Sequence, residues 1–250
     1  MGEEVSIVTP GANQRALVTY SVLTGLTPLI PVPFADDLAK AYLRRRLIRA
    51  LAESHNLSLD PDTLESLSEE GKSGCAGGCL AQVVLYPLKK VFRKVFYFLE
   101  WKRAVDLTSY TYHYGYLIDY ALGAGVVGGA SQQGRSGAEV RAAIEAACRE
   151  APIKPVESAV GAAFRQSKAA LVSAAGLMEQ SLKRIAGRPT EEKVSKAVGA
   201  VEEEERREIV GVIERLQSAL GNIPDAHFKN LRARLHSHLG QTGSETEGAG

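Results

Sequence analysis

Residues 69–74, EEGKSG, contain the Gly-Lys-Ser of a phosphate-binding loop, in which backbone N–H groups cradle phosphates and the lysine reaches the outermost one. That loop needs a glycine five positions before Gly71, where Ser66 stands, and a strand leading into it. Nucleotide binding is therefore not expected. Cys75 and Cys79 stand four apart, but no second cysteine pair or histidine cluster lies nearby in sequence to complete a zinc site. Small buried thiols are the simpler reading. His227, His236 and His238 fall on or near one C-terminal helix, yet residues two apart point to different sides, so His236 and His238 cannot chelate from one face. They read as surface histidines. Asp36 and Asp37 could form a general acid/base pair, but neighbouring helical residues diverge, and first-turn carboxylates are explained by the exposed N–H groups they complement. No nucleophile, base and orienting third group assemble from these residues. Catalytic, cofactor and metal residues are all assigned as none, and the chain is expected not to be an enzyme.

Five of the nine tyrosines crowd into residues 110–120, YTYHYGYLIDY. Tyr110, Tyr112, Tyr114 and Tyr116 alternate, a period that by itself describes a strand. An isolated strand is unstable and no second strand-like run is present to pair with it, so helix is the reading adopted. The weakest function considered, binding of an apolar ligand, rests on this aromatic cluster.

Among the elements that must position these groups, the segment 28–54, PLIPVPFADDLAKAYLRRRLIRALAES, is the organising one. Pro28, Pro31 and Pro33 exclude the α conformation ahead of them, so a helix should begin after Pro33. Asp36 and Asp37 then sit at its positive end and Arg44, Arg45, Arg46 and Arg49 further along. Its apolar side chains form two stripes, Phe34, Leu38, Ala41, Ile48 and Ala52 against Leu43, Leu47, Ala50 and Leu51. Two apolar sides imply burial between partners.

The 250 residues are 45% hydrophobic and 24% charged, ordinary for a globular chain. A formal charge of +1 gives no global attraction to nucleic acid, but charge is segregated: residues 53–70 hold six acids and no base, residues 89–103 six bases and one acid. Three cysteines and no secretory-like start favour a reducing cytoplasm. No apolar run reaches the ~20 residues of a spanning helix without Pro or Gly interruption.

Taken in order, residues 1–12 read as a flexible arm, and Asn13 caps a helix through Leu23. His55-Asn56 ends the central helix, and Asp60-Pro61 opens a short one as N-cap and first helical residue. Ser136 and Glu139 stand at capping-box spacing, with Val140, Ile144 and Ala147 on one face. Residues 156–185 read as one rod of about 45 Å, with Phe164, Leu171, Met178 and Ile185 at sevens. Thr190 caps a second helix to Leu220, and a third carries Phe228, Leu231, Leu235 and Leu239. Short connections make residues 156–239 an antiparallel hairpin plus a third helix. Residues 240–250 read as a disordered tail.

Residues 88–99 give the sharpest functional pattern. Leu88, Val91, Phe92, Val95, Phe96, Phe98 and Leu99 share a face of about 160°, while Lys89, Lys90, Arg93 and Lys94 occupy the other. Such a helix either covers a core with its charges solvated or lies in a headgroup layer, aromatics down and bases among anionic lipids. Lys89, Lys90, Phe92, Arg93, Lys94, Val95, Phe96 and Leu99 are the candidate contacts for an anionic membrane surface or an acidic partner.

The proline-rich approach to a basic helix, LIPVPFADDLAKAYLRRRLIRALAE, followed by Thr111, Tyr112 and Gly115 in a T-Y-x-x-G pattern with Tyr120 beyond, resembles the YcjF-like bacterial domain and, less closely, EcsC-like proteins. The resemblance covers roughly residues 20–130. It implies a helical protein with no established chemistry, associated with the bacterial inner membrane or found beside GTPase domains, which would make a GTPase a candidate partner. Where those families are expected to carry a Gly/Ala-rich apolar hairpin, this chain has EWKRAVD at 100–106, which favours peripheral attachment over insertion.

The expectation is thus an all-α protein, with a helical domain over 13–150 and a helical hairpin module over 156–239. The functional expectation is a cytoplasmic, membrane-peripheral scaffold without nucleic acid or cofactor. The alternative is a soluble helical adaptor whose C-terminal helices bind another protein or self-associate.

Overall fold

The structure, a computed structural model, describes residues 12–30, 35–69, 93–127, 134–184, 190–204 and 206–247. Side chains are described at all of these except 12, 35, 93–98, 183–184, 202–204, 206–208 and 241–247. Local signals set the element ends. The Asp60 carboxylate accepts a 2.8 Å hydrogen bond from the Thr63 N–H ahead of Pro61, opening a helix at Pro61–Ser68. Ser136 and Glu139 close a reciprocal capping box that opens Gly137–Glu150. At the other end of the central helix Asn56 takes a left-handed φ of 55°, and the Leu57 N–H reaches back 2.9 Å to the Ala52 carbonyl.

The chain is all-α. Among the described residues the helices are α1 Ala12–Leu26, which runs on into a tight turn Thr27–Leu29, α2 Ala35–Ser54, α3 Pro61–Ser68, α4 Arg93–Gly123, α5 Gly137–Glu150, α6 Lys154–Gln166, α7 Lys168–Arg184, α8 Glu191–Glu204, α9 Arg206–Gly221 and α10 Asp225–Glu247. Among the described residues β pairing is limited to one isolated bridge between Val127 and Arg135.

Helix α4 is the axis, with 31 residues spanning about 46 Å. It packs against α1, α2, α5, α6 and α10. Helix α1 approaches it most closely, because two glycines remove the side chains that would hold them apart. A methyl at Gly25 would overlap the Thr108 hydroxyl, and one at Gly115 would overlap Leu17 and crowd Leu47 of α2. Gly115 is the glycine of the T-Y-x-x-G pattern. Its place there is set by helix packing.

Several readings need correction. Helix α2 does not bury both stripes. Its covered residues are Ala39, Leu43, Leu47, Ile48, Leu51 and Ala52, while Leu38 and Ala41 face solvent, because α1, α3, α4 and α8 leave one side open. Asn13 is not a cap but lies within α1, its amide turned to Asp119. The rod over 156–185 breaks at Ser167, where φ is −113° and the N–H is shared between the Ala163 and Phe164 carbonyls. The buried Ser167 hydroxyl accepts a 3.0 Å bond from Arg215 on α9. That partner stands 48 residues away and leaves no local trace. The tail is helical as far as Glu247, since no proline stops α10 and an interior glycine costs only about 1 kcal/mol.

The C-terminal helices do pack as an antiparallel hairpin, α6 against α9 and α7 against α8. Helix α10 does not join them. It lies along α5 and against α4, so Leu231, Leu235 and Leu239 bury with the N-terminal helices. One apolar core runs through residues on both sides of 150–156, and Trp101 of α4 meets Phe164 of α6 edge to face at 5.9 Å.

Candidate functional site

On an α-helix a residue and the next but one stand about 200° apart, so the alternating tyrosines of α4 fall on opposite sides. Tyr110 and Tyr114 face α2, α3 and α5. Tyr114 is 1% exposed, its hydroxyl donates a 2.6 Å bond to the Leu67 carbonyl, and the Arg44 guanidinium lies 3.8 Å over its ring. Arg44 in turn stands 3.7 Å from Glu145 of α5. Burial pushes the Tyr114 hydroxyl well above its ordinary range, so it remains a donor at any physiological pH. This half of the cluster is structural.

Tyr112, Tyr116 and Tyr120 face α10. Phe228 packs against Tyr116 at 4.9 Å and Tyr112 at 6.3 Å, and the Tyr120 hydroxyl is hydrogen-bonded to His236 at 2.7 Å. Beside them a groove of about 740 Å³ runs between α1, α4, the α9–α10 turn and α10. Tyr112, Tyr116 and Phe228 supply aromatic surface, Leu17, Leu220 and Ile223 aliphatic surface, and Asn13, Asp119, Asp225, Lys229 and Arg232 polar groups. Arg232 also lies 5.4 Å over the Tyr120 ring.

Asp119 is held from two helices. Its Oδ1 accepts from the Asn13 amide at 2.9 Å and from His55 Nε2 at 2.8 Å. His55 directly follows the last residue of α2, its N–H still bonded back to the Leu51 and Ala52 carbonyls, and its ring stands against Gly123, where a methyl would crowd it. A carboxylate and a histidine in contact resemble two members of a catalytic triad. Among the described residues no hydroxyl or thiol is bonded to that histidine, and Cys148 is buried elsewhere with its thiol pushed up to about 12 by desolvation. Asp119 and His55 therefore act as a brace between α1, α2 and α4.

Of the histidines read from sequence as surface residues, His236 is exposed, whereas His227 and His238 are partly buried. His227 Nε2 lies 2.8 Å from Nε2 of His113, which is 1% exposed on α4. One ring must donate and the other accept, so the pair holds together only with at least one ring neutral. Burial, followed by the neighbouring His227, holds His113 down at about 4. Desolvation lowers His227 as well. His238 stands 3.1 Å from Glu150, the last residue of α5, and Arg234 binds the same carboxylate. Among the described residues no group of three or more His, Cys, Asp and Glu side chains is placed to hold a metal ion.

The candidate contacts in 88–99 are only partly described. Lys89, Lys90 and Phe92, like Gly71, Cys75 and Cys79, lie outside the described residues. Arg93, Lys94, Val95 and Phe96 form the start of α4, their side chains likewise outside. Leu99 is 48% exposed, the most exposed large apolar side chain among the described residues. Beside it Lys102 is exposed and paired with Asp106, and Arg103 reaches Asp36 of α2 at 3.7 Å. No helix among the described residues is long and apolar enough to cross a membrane.

Sequence reasoning found the tyrosines but not Asn13, His55, Asp119, Lys229 or Arg232, which come from four separate stretches of chain. One signal was present: Asp119 is a lone carboxylate inside the apolar run YLIDY, and a charge so placed on a packed helix needs partners. Comparison of the chain with family models, curated proteins and solved structures gives no match in any of the three. The YcjF-like resemblance rests on its short motifs.

Proposed function

We propose that this is a non-enzymatic helical binding protein that attaches to an anionic bilayer surface through the basic amphipathic segment 88–99 at the start of α4. The observation that carries this reading is Leu99. It ends the apolar face that in sequence begins at Leu88, and it remains about half exposed although Ala104, Thr108, Ser109 and Thr111 to Tyr114 further along α4 are buried. Leu38, 37% exposed in the first turns of α2, belongs to the same end, since Arg103 ties that turn to α4. Exposed leucines flanked by bases are what a headgroup layer accepts: apolar groups enter the acyl boundary and bases pair with anionic lipids.

Flotation of the full chain with phosphatidylserine-containing vesicles tests it. Wild type should float at low salt, and a Lys89/Lys90/Arg93/Lys94→Glu variant should not. Equal recovery of both in the top fraction, or of neither, removes the proposal. A second reading, self-association through the C-terminal helices, has Val172 of α7 in its favour, 45% exposed on the hairpin. Light scattering of the full chain would then report a dimer that Val172→Asp dissociates.

A further inference from the structure

The groove between α1, α4, the α9–α10 turn and α10 has features that folding alone does not require. Its volume of about 740 Å³ lies within the range of roughly 300–1,000 Å³ of small-molecule sites. It is open to solvent yet paved by Tyr112, Tyr116 and Phe228.

Its charges are not equivalent. Asp119 is already compensated by the Asn13 amide and His55, and Asp225 stands in the first turn of α10, where a carboxylate complements the helix N-terminus. Lys229 and Arg232 are one helical turn apart and face the same opening. Lys229 makes no ion pair among the described residues, and the contact of Arg232 is with the face of Tyr120, which leaves its forked N–H groups without a carboxylate. The uncompensated charge beside the aromatic surface is therefore positive.

We propose that this groove binds an anionic amphiphile, a carboxylate or phosphate monoester on an apolar body. The body would lie on Tyr112, Tyr116 and Phe228, and the acid would sit between Lys229 and Arg232. Arg232 can offer two parallel N–H donors to such a group, while Lys229 acts as a point charge. Tyr116, half-buried and kept protonated by desolvation, keeps a neutral donor at the same wall. Along α4 the groove lies about 25 Å from Leu99, so this site does not rest on attachment through 88–99.

Calorimetric titration of the full chain with laurate, dodecyl phosphate and dodecyltrimethylammonium tests the proposal. One equivalent of each anion should bind and the cation should not. Lys229→Gln with Arg232→Gln should weaken laurate binding by roughly tenfold or more. Gly221→Trp tests the location by another route, because a side chain there starts in open space at the groove wall and would fill it. It should abolish binding with the melting temperature unchanged. The proposal falls if wild type binds neither anion at millimolar concentration, if the cation binds as well as laurate, or if either variant melts like wild type and binds like it. It also falls if laurate binds only after residues 1–11 are deleted, which would make the occupant the chain's own first segment.

Discussion

The two ends of α4 are built from similar material and meet different fates. Its first turns and its last both carry aromatic and aliphatic residues at helical spacing with charges between them. The C-terminal half is clasped by α1, α2, α5 and α10, so that Thr108, Ser109, Tyr112, His113, Tyr114 and Leu117 are all buried. At the other end Leu99 is half exposed and Lys102 and Arg103 face solvent. Amphipathicity states which face of a helix seeks cover. What covers it depends on which neighbours arrive, and among the described side chains of α4 the run of buried residues begins at Ala104.

The comparison can be broken most directly at Tyr114. If the C-terminal half is the stability centre, Tyr114→Ala removes a fully buried ring and orphans the Leu67 carbonyl, costing about 3–5 kcal/mol in urea unfolding. A loss below about 1 kcal/mol would mean that the enclosed half is not what holds the fold.

Acid should probe the same half by way of the His113–His227 pair. The unfolded chain takes up a proton at His113 near 6.5, whereas the folded chain resists until about 4. Unfolded molecules therefore bind more protons between those values. The contribution of the buried neutral ring is complete above pH 6.5 and is lost as pH falls toward 4, by roughly 3 kcal/mol. The depressed value of His227 acts with the same sign. Denaturation midpoints for wild type and His113→Phe should diverge on the alkaline side of that window and converge within it. Parallel curves from pH 7 to pH 4 would show that this pair does not couple folding to protons.

Leu99→Ser should be the mildest change. A side chain already 48% exposed contributes little to the core, so stability should stay within about 0.5 kcal/mol of wild type, while recovery with anionic vesicles falls. A large loss of stability would place Leu99 with the core and erase the contrast between the two ends.

Much of the secondary structure was legible because its causes are local. Asp60 and Pro61, Ser136 and Glu139, and Thr190 each meet their backbone partners within three or four residues. The tyrosine run was legible as helix only by elimination, and its division into two faces follows from the helical period once helix is granted. The groove was not legible. Asn13, Asp119, Leu220 and Arg232 acquire a common surface only when α1, α4, α9 and α10 pack together, and no periodicity in one segment encodes a neighbour a hundred residues distant.

The sequence by itself determined the helical class, the capped helix starts at Pro61, Gly137 and Glu191 and the separation of acidic from basic stretches, since each depends on bonds and charges a few residues apart. Tertiary structure alone decided that Ser167 breaks a rod, that α10 leaves the hairpin for α5, and that one wall of tyrosines is covered by α2, α3 and α5 while the other borders an open groove lined by Asp119, Asp225, Lys229 and Arg232. Burial and electrostatic environment are properties of what surrounds a side chain, and for these residues the surroundings come from distant parts of the chain.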